Sequence, residues 1–206
     1  MFCMIMWENC IYNCGPVLHV GGPDYIMDDI AKELAKLHDL TGADYSRQVE
    51  CIARRAEFRP LTEFVDIYSV GELNSEDAGK LIAAARKVVL HGYKVFILPN
   101  PSEFRTADMI LEFKGMYFMY ELKTISGKRS AGSRLMASVG QSRRVLLHVV
   151  TNYNGRLLAS DIRKYFEANT EALEVLILKG KKKITISRRF ALSRMFHRHF
   201  RRIYEN

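Results

Sequence analysis

The sequence predicts an α/β (α+β) protein, a mixed central β-sheet flanked by helices, with a mainly helical N-terminal region. Three observations carry this. Apolar residues recur at helical spacing through the first third of the chain. From about Tyr93 short apolar runs alternate with helical segments. Between two of those runs sits Lys114-Gly115, the kind of pair that closes a tight hairpin.

The elements follow in chain order. The section to Gly22 is irregular and carries Cys3, Cys10 and Cys14. From Pro23 the spacing of Ile26, Ile30, Leu34 and Leu37 predicts a helix, with Asp28 and Asp29 in its first turn and Thr41-Gly42 at its end. A second helix is expected over Ser46–Ala56, stopped by Pro60, and a short element around Leu61–Tyr68. Residues 1–72 thus read as one region and 73–206 as another. In the second, Asn74-Ser75-Glu76-Asp77 caps a helix that runs through Leu90, and Gly92 closes it. Strands are expected at Tyr93–Leu98, Ala107–Phe113 and Met116–Ile125, then a polar loop at Ser126–Ser130 and a helix over Ser133–Ser142. Strand Val145–Thr151, helix Ser160–Ala168, strand Leu173–Leu178, a turn at Lys179–Lys183, strand Ile184–Arg188 and a helical tail complete the order.

The hairpin brings chemistry together. With Lys114 and Gly115 as the two turn residues, Phe113 faces Met116, and five residues further along each strand Asp108 faces Glu121. Directly opposed residues share a sheet face, and Lys123, two beyond Glu121, points the same way. The neighbours are apolar on both faces, so the strands read as buried on both sides. Two opposed carboxylates in such a place need compensation, and a divalent cation with a taste for hard oxygens, Mg²⁺ or Mn²⁺, provides it. The alternative is an ion pair of Lys123 with the two acids and no chemistry. A bulge or a longer turn would shift the pairing and move Asp108 to the other face. Glu112 shares the parity of Asp108 and is the substitute, nearer the turn.

These elements carry a resemblance. A helix, a strand, Asp108 thirteen positions before Glu121-Leu122-Lys123 on a hairpin, then a helix and a strand, resemble the PD-(D/E)xK nuclease superfamily. Thr106-Ala107 stand where the usual Pro precedes the Asp. Within it, the runs TADMILEFKGMYFMYELKTI and SRLMASVGQSRRVLLHV resemble the C-terminal toxin nuclease domains of bacterial contact-dependent growth inhibition proteins, several of which cleave tRNA. The likeness covers about residues 75–190. It implies a restriction-endonuclease-like core, hydrolysis of phosphodiester bonds, and Asp108 and Glu121 as metal ligands. Lys123 then orients or deprotonates a water or steadies the developing charge. Glu76, with Asp77 second, is the candidate for a third acid from the first core helix, against a plain helix N-terminal charge. Gln141 is the candidate for a polar site residue, against helix-end polarity. An immunity protein as partner, and a cytoplasmic site of action reached as part of a larger toxin, are further implications.

Bulk properties bear on the partner. The 206 residues hold 31 Lys and Arg against 23 Asp and Glu, a net charge of +8 that points to a polyanion. Lys128 and Arg129 in the loop, Arg134, Arg143, and Lys181, Lys182 and Lys183 are candidate phosphate contacts, each weighed against a solvated basic surface. Arg194, Arg198, Arg201 and Arg202 extend the basic run, while Phe196, Phe200 and Tyr204 have the spacing of a buried helix face. RNA is favoured over DNA by the resemblance alone. A nucleic-acid binder without catalysis and a restriction- or repair-type DNase are the alternatives. His148 reads as a satisfied core histidine. Cys3, Cys10, Cys14 and Cys51 fit no zinc frame, Met1–Trp7 lacks the basic leader of a signal peptide, and no run nears the ~18 apolar residues of a membrane span.

Overall fold

The computed structural model describes residues 23–61, 63–71, 73, 78–99, 106–127 and 131–205. Helix α1 (Pro23–Lys36) ends in a 3-10 turn and leads to α2 (Gly42–Ala53), after which β1 (Arg59–Pro60) and β2 (Ile67–Ser69) begin the sheet. Next come α3 (Ala78–Val89), β3 (Lys94–Ile97), β4 (Met109–Phe113), β5 (Met116–Ile125), α4 (Ala131–Met136) and β6 (Arg144–Val149). The chain closes with α5 (Gly155–Ala168), β7 (Glu174–Lys179), β8 (Lys182–Ser187), α6 (Arg188–Ala191) and α7 (Phe196–Glu205).

The eight strands form one mixed sheet in chain order. β3, β4 and β5 form an antiparallel meander; β5, β6 and β7 run parallel, and β8 returns antiparallel along β7. The parallel strands read as unbroken apolar runs, Val145-Leu146-Leu147 and Val175-Leu176-Ile177, because helices or neighbouring layers cover both faces. The described part of the first third joins the same sheet: β2 pairs with β3, and α1 and α2 pack on it. Arg55 pins α1 to the end of α2, donating to Glu33 at 2.7 Å, Asp29 at 2.8 Å and Glu57 at 2.7 Å.

Three apolar clusters set the layers. On one face, Leu34, Val49 and Ile52 of α1 and α2 pack on Phe96, Ile110 and Met119. On that same face further along, α4 to α7 bury Ile125, Leu147, Val149 and Ile177 with Phe166, Phe196 and Phe200. The opposite face carries α3, whose Ala84, Ala85 and Val88 meet Val95, Leu111, Leu122, Leu146 and Leu176. Side chains alternate along β5, so Met119 lies under the first helical layer and Ile125 under the second. Glu121 and Lys123 fall between them, in the seam where the two layers meet.

Several boundaries depart from the sequence expectation. α4 stops at Met136 rather than Ser142; Ser138 Oγ donates to the Leu135 carbonyl at 2.6 Å, and Gly140 turns the chain at φ 82°. α5 starts five residues before Ser160 because Asn154 caps it, accepting from the N–H groups of Arg156 and Leu157 at 2.9 and 3.2 Å. The last hairpin turns at Gly180-Lys181, leaving Lys182 and Lys183 inside β8. The tail is helical as expected, with Phe196, Phe200 and Tyr204 as its buried face.

Candidate active site

The hairpin that builds the site turns at Lys114 and Gly115, at φ 53° and 77°, the conformation of a two-residue turn matched to strand twist. Its register is the expected one from Phe113↔Met116 to Met109↔Tyr120. Glu112 is drawn into the turn, where its Oε1 accepts the Gly115 N–H at 2.7 Å, so it does not substitute for Asp108.

The ladder then changes. Asp108 donates its N–H to the carbonyl of Tyr120 at 3.2 Å, although Tyr120 is already the partner of Met109. Two residues therefore meet one, the pattern of a β-bulge, and Asp108 is not placed opposite Glu121 in the ladder as the simple count predicts. Its carboxylate reaches back, and Oδ2 accepts the N–H of Leu122 at 2.7 Å. The charge nonetheless acts on Glu121, whose carboxyl is pushed up to about 7, first by burial and then by Asp108, against the pull of Lys123.

Glu121 is 3% exposed. Its Oε1 accepts from Lys123 Nζ at 2.5 Å, while its Oε2 is buried with no hydrogen-bond donor among the described residues. Lys123 also donates to Gln141 Oε1 at 3.2 Å. The turn bearing Gln141 is anchored by its neighbour: Ser142 Oγ donates to the Met119 carbonyl at 3.1 Å and accepts the Arg144 N–H at 3.2 Å. Asp108, Glu121, Lys123 and Gln141 are thus brought together, by a bulge on one strand, alternation on the next and a tethered turn. Ser142 was missed in the sequence, where one hydroxyl beside a predicted helix end carries no distinguishing signal.

The other candidates are scattered. Glu76, Asp77, Lys128 and Arg129 lie outside the described residues. Arg134 is exposed on α4, and Arg143 reaches Glu171 at 3.6 Å. Lys181 sits on the β7–β8 turn. Lys183 turns toward the face opposite the site and donates to Tyr93 Oη at 3.1 Å, whereas Lys182 lies opposite Lys179. His148 is buried, yet neither ring nitrogen has a partner among the described residues, so it is a core histidine but not a satisfied one. Burial, helped by Lys87, lowers its pKa to about 4. Cys51 is half-buried on α2.

Compared with known proteins, the chain matches no family model, no curated protein and no solved structure. What the site can do therefore follows from its own chemistry. Two carboxylates offer hard oxygens, the donor type a small divalent cation prefers, and Glu121 Oε2 is buried without a donor among the described residues. Among the described residues no group of three His, Cys, Asp or Glu gathers around one point. No helix among them is long and apolar enough to cross a membrane.

Proposed function

We propose that the chain is a metal-dependent endonuclease hydrolysing phosphodiester bonds, with Asp108, Glu121, Lys123 and Gln141 as its site. The observation that carries the reading is Glu121 Oε2, buried with no donor among the described residues and beside the Asp108 charge, with an ammonium held on its other oxygen. Buried carboxylates in this state are costly unless a cation completes them. Mg²⁺ or Mn²⁺ held by Asp108 and Glu121, with Glu76 as a third acid, would supply Lewis acidity toward a phosphodiester.

The chain's own groups do the remainder. Lys123 sets a positive charge beside the acids, where it would orient a water or steady the charge that develops on the phosphate. Gln141 accepts one of its N–H groups and so aims the amine; Ser142 holds Gln141 in place. The helices on either side of the seam exclude bulk water from Glu121. RNA, tRNA in particular, is favoured over DNA by the resemblance of the hairpin and the following helix to toxin nucleases. In that reading the protein acts in the cytoplasm of a target cell, and an immunity protein would restrain it.

A second reading has its own support. Lys123 already neutralises Glu121, and fewer than three ligating side chains converge among the described residues. On that basis the chain binds nucleic acid without cutting it. Incubation with tRNA and with plasmid, in Mg²⁺, Mn²⁺ or EDTA, beside Glu121→Ala and Lys123→Ala, separates the two. Metal-dependent cleavage lost in both variants supports the nuclease; cleavage indifferent to both removes this site from consideration.

A further inference from the structure

Helix α7 turns Phe196, Phe200 and Tyr204 inward, which leaves His197, Arg198, Arg201 and Arg202 along its outer side. It lies close against the start of α5, where Gly155 permits the approach: a Cβ there would stand 3.0 Å from Tyr204 Cδ1. Between the helices opens a cleft of about 610 Å³ that also takes in Arg156 and Glu205. A second cleft of about 500 Å³ shares Glu205 with it, and is lined by residues 149–152, Lys179, Lys181, Lys182 and Tyr204. Four arginines and three lysines face the combined groove, against Glu205 as its one carboxylate among the described residues. Glu205 is engaged by Arg201 at 3.4 Å, and Lys179 lies over the Tyr204 ring at 3.8 Å.

The second cleft opens at the C-terminal ends of β6 and β7, and β6 pairs with β5, the strand that carries Glu121 and Lys123. α5 and α7 pack in the same cluster as Ile125, two residues past Lys123, and the Val150 N–H at the groove's edge bonds the Ile125 carbonyl at 3.0 Å. Two strand residues span about 7 Å, so the end of β5 beside this rim lies about that far along the strand from Lys123.

We infer that this groove is a track for the phosphodiester backbone of a polynucleotide, running from the rim beside β5 across the β7–β8 turn and along α7. The inference rests on the nuclease reading for its choice of polyanion and deepens it: the substrate is a long strand rather than a nucleotide or dinucleotide. Charge alone fits an acidic protein or an anionic membrane equally well. The arginine forks match phosphate oxygens in pairs, and the nuclease reading selects the nucleic acid among polyanions.

The test measures binding in EDTA, where cleavage is silent, by anisotropy of a labelled tRNA-length RNA across a salt series. The full chain is compared with the Arg156→Gln/Arg198→Gln/Arg202→Gln variant. The expected result is an affinity loss of about tenfold or more and a log–log salt slope shallower by about 2. Unlabelled long RNA should displace the probe while a dinucleotide does not. Lys181→Gln/Lys182→Gln, at the β7–β8 turn and the first residue of β8, should show the same direction and replaces the arginine variant if that one melts early. Affinity and slope equal to wild type in both variants overturn the track, as does variant-sensitive binding to phosphatidylserine vesicles with no RNA binding. Track-dependent RNA binding by a protein that cleaves nothing keeps the track and removes the nuclease.

Discussion

Asp108 and Glu121 stand on neighbouring strands of one hairpin, yet their carboxylates differ: Asp108 Oδ2 takes the backbone N–H of Leu122 at 2.7 Å, while Glu121 Oε2 is buried without a donor among the described residues. The two acids should therefore separate when stability and activity are measured together. Asp108→Ala strands the Leu122 N–H and should cost about 1–3 kcal/mol in denaturant unfolding. Glu121→Gln removes a buried charge and should hold or raise stability at pH 8. Both should abolish cleavage. Equal destabilisation by the two would contradict the asymmetry.

The same asymmetry predicts a ligand effect. A divalent cation that completes Glu121 Oε2 stabilises the folded chain by an amount that grows with the logarithm of its concentration above Kd, about 2.7 kcal/mol at a hundredfold excess. Mn²⁺ titrated into metal-free protein should raise Tm, and the rise should vanish in Glu121→Gln and shrink in Asp108→Asn. A Tm insensitive to Mn²⁺ and Mg²⁺ in the wild-type chain leaves only the ion-pair reading.

Lys123 is held by Glu121 and Gln141, and Gln141 by the Ser142 tether. Lys123→Met should lower the cleavage rate by about a hundredfold or more, within the range of lost general acid–base groups. Ser142→Ala touches nothing that reacts, and should lower kcat with KM little changed because it loosens the aim of the amine. Ser142→Thr, which keeps the hydroxyl, should recover most of the rate. A change confined to thermal stability would make Ser142 a packing residue only.

How far the sequence reached depends on the range of the interactions. β5 occupies Met116–Ile125 as read from its apolar run, and the hairpin register follows from the residues its turn demands. The bulge did not show, because nothing in Ala107-Asp108-Met109 distinguishes a residue that meets Tyr120 from one that meets Glu121. α4 was drawn too long because Met136 and Val139 continue a helical rhythm; both are exposed, at 46% and 39%, so the rhythm there was not burial. The seam that holds Glu121 and Lys123 was illegible for a different reason. It exists only because α1 and α2 cover one end of a sheet face and α4 to α7 the other, a tertiary outcome no local spacing records.

Lys114 carries a side chain in the left-handed region, φ 53°, where Asn or Gly sits with less strain. Lys114→Asn should stabilise the chain by about 0.5–1 kcal/mol and leave cleavage untouched, since the turn lies at the far end of the hairpin from Asp108. Loss of stability would mean that the Lys114 ammonium over the Phe113 ring, at 5.3 Å, outweighs the backbone strain.

Glu121 and His148 should oppose one another as pH changes. Glu121 has a folded pKa raised to about 7 from 4.5, so in acid solution the folded chain holds a proton the unfolded chain has lost; its contribution is full below 4.5 and is lost as pH rises through 7. His148 is lowered to about 4 from 6.5; its contribution is full above 6.5 and is lost as pH falls through 4. Between pH 4.5 and 6.5 the slopes have opposite sign and each amounts to about 1.4 kcal/mol per unit. In EDTA, subtracting the wild-type curve from that of Glu121→Gln should leave a difference that rises with pH across this window. The same subtraction for His148→Leu should leave one that falls. A flat difference curve for either variant would mean that its group titrates in the folded chain as it does in water.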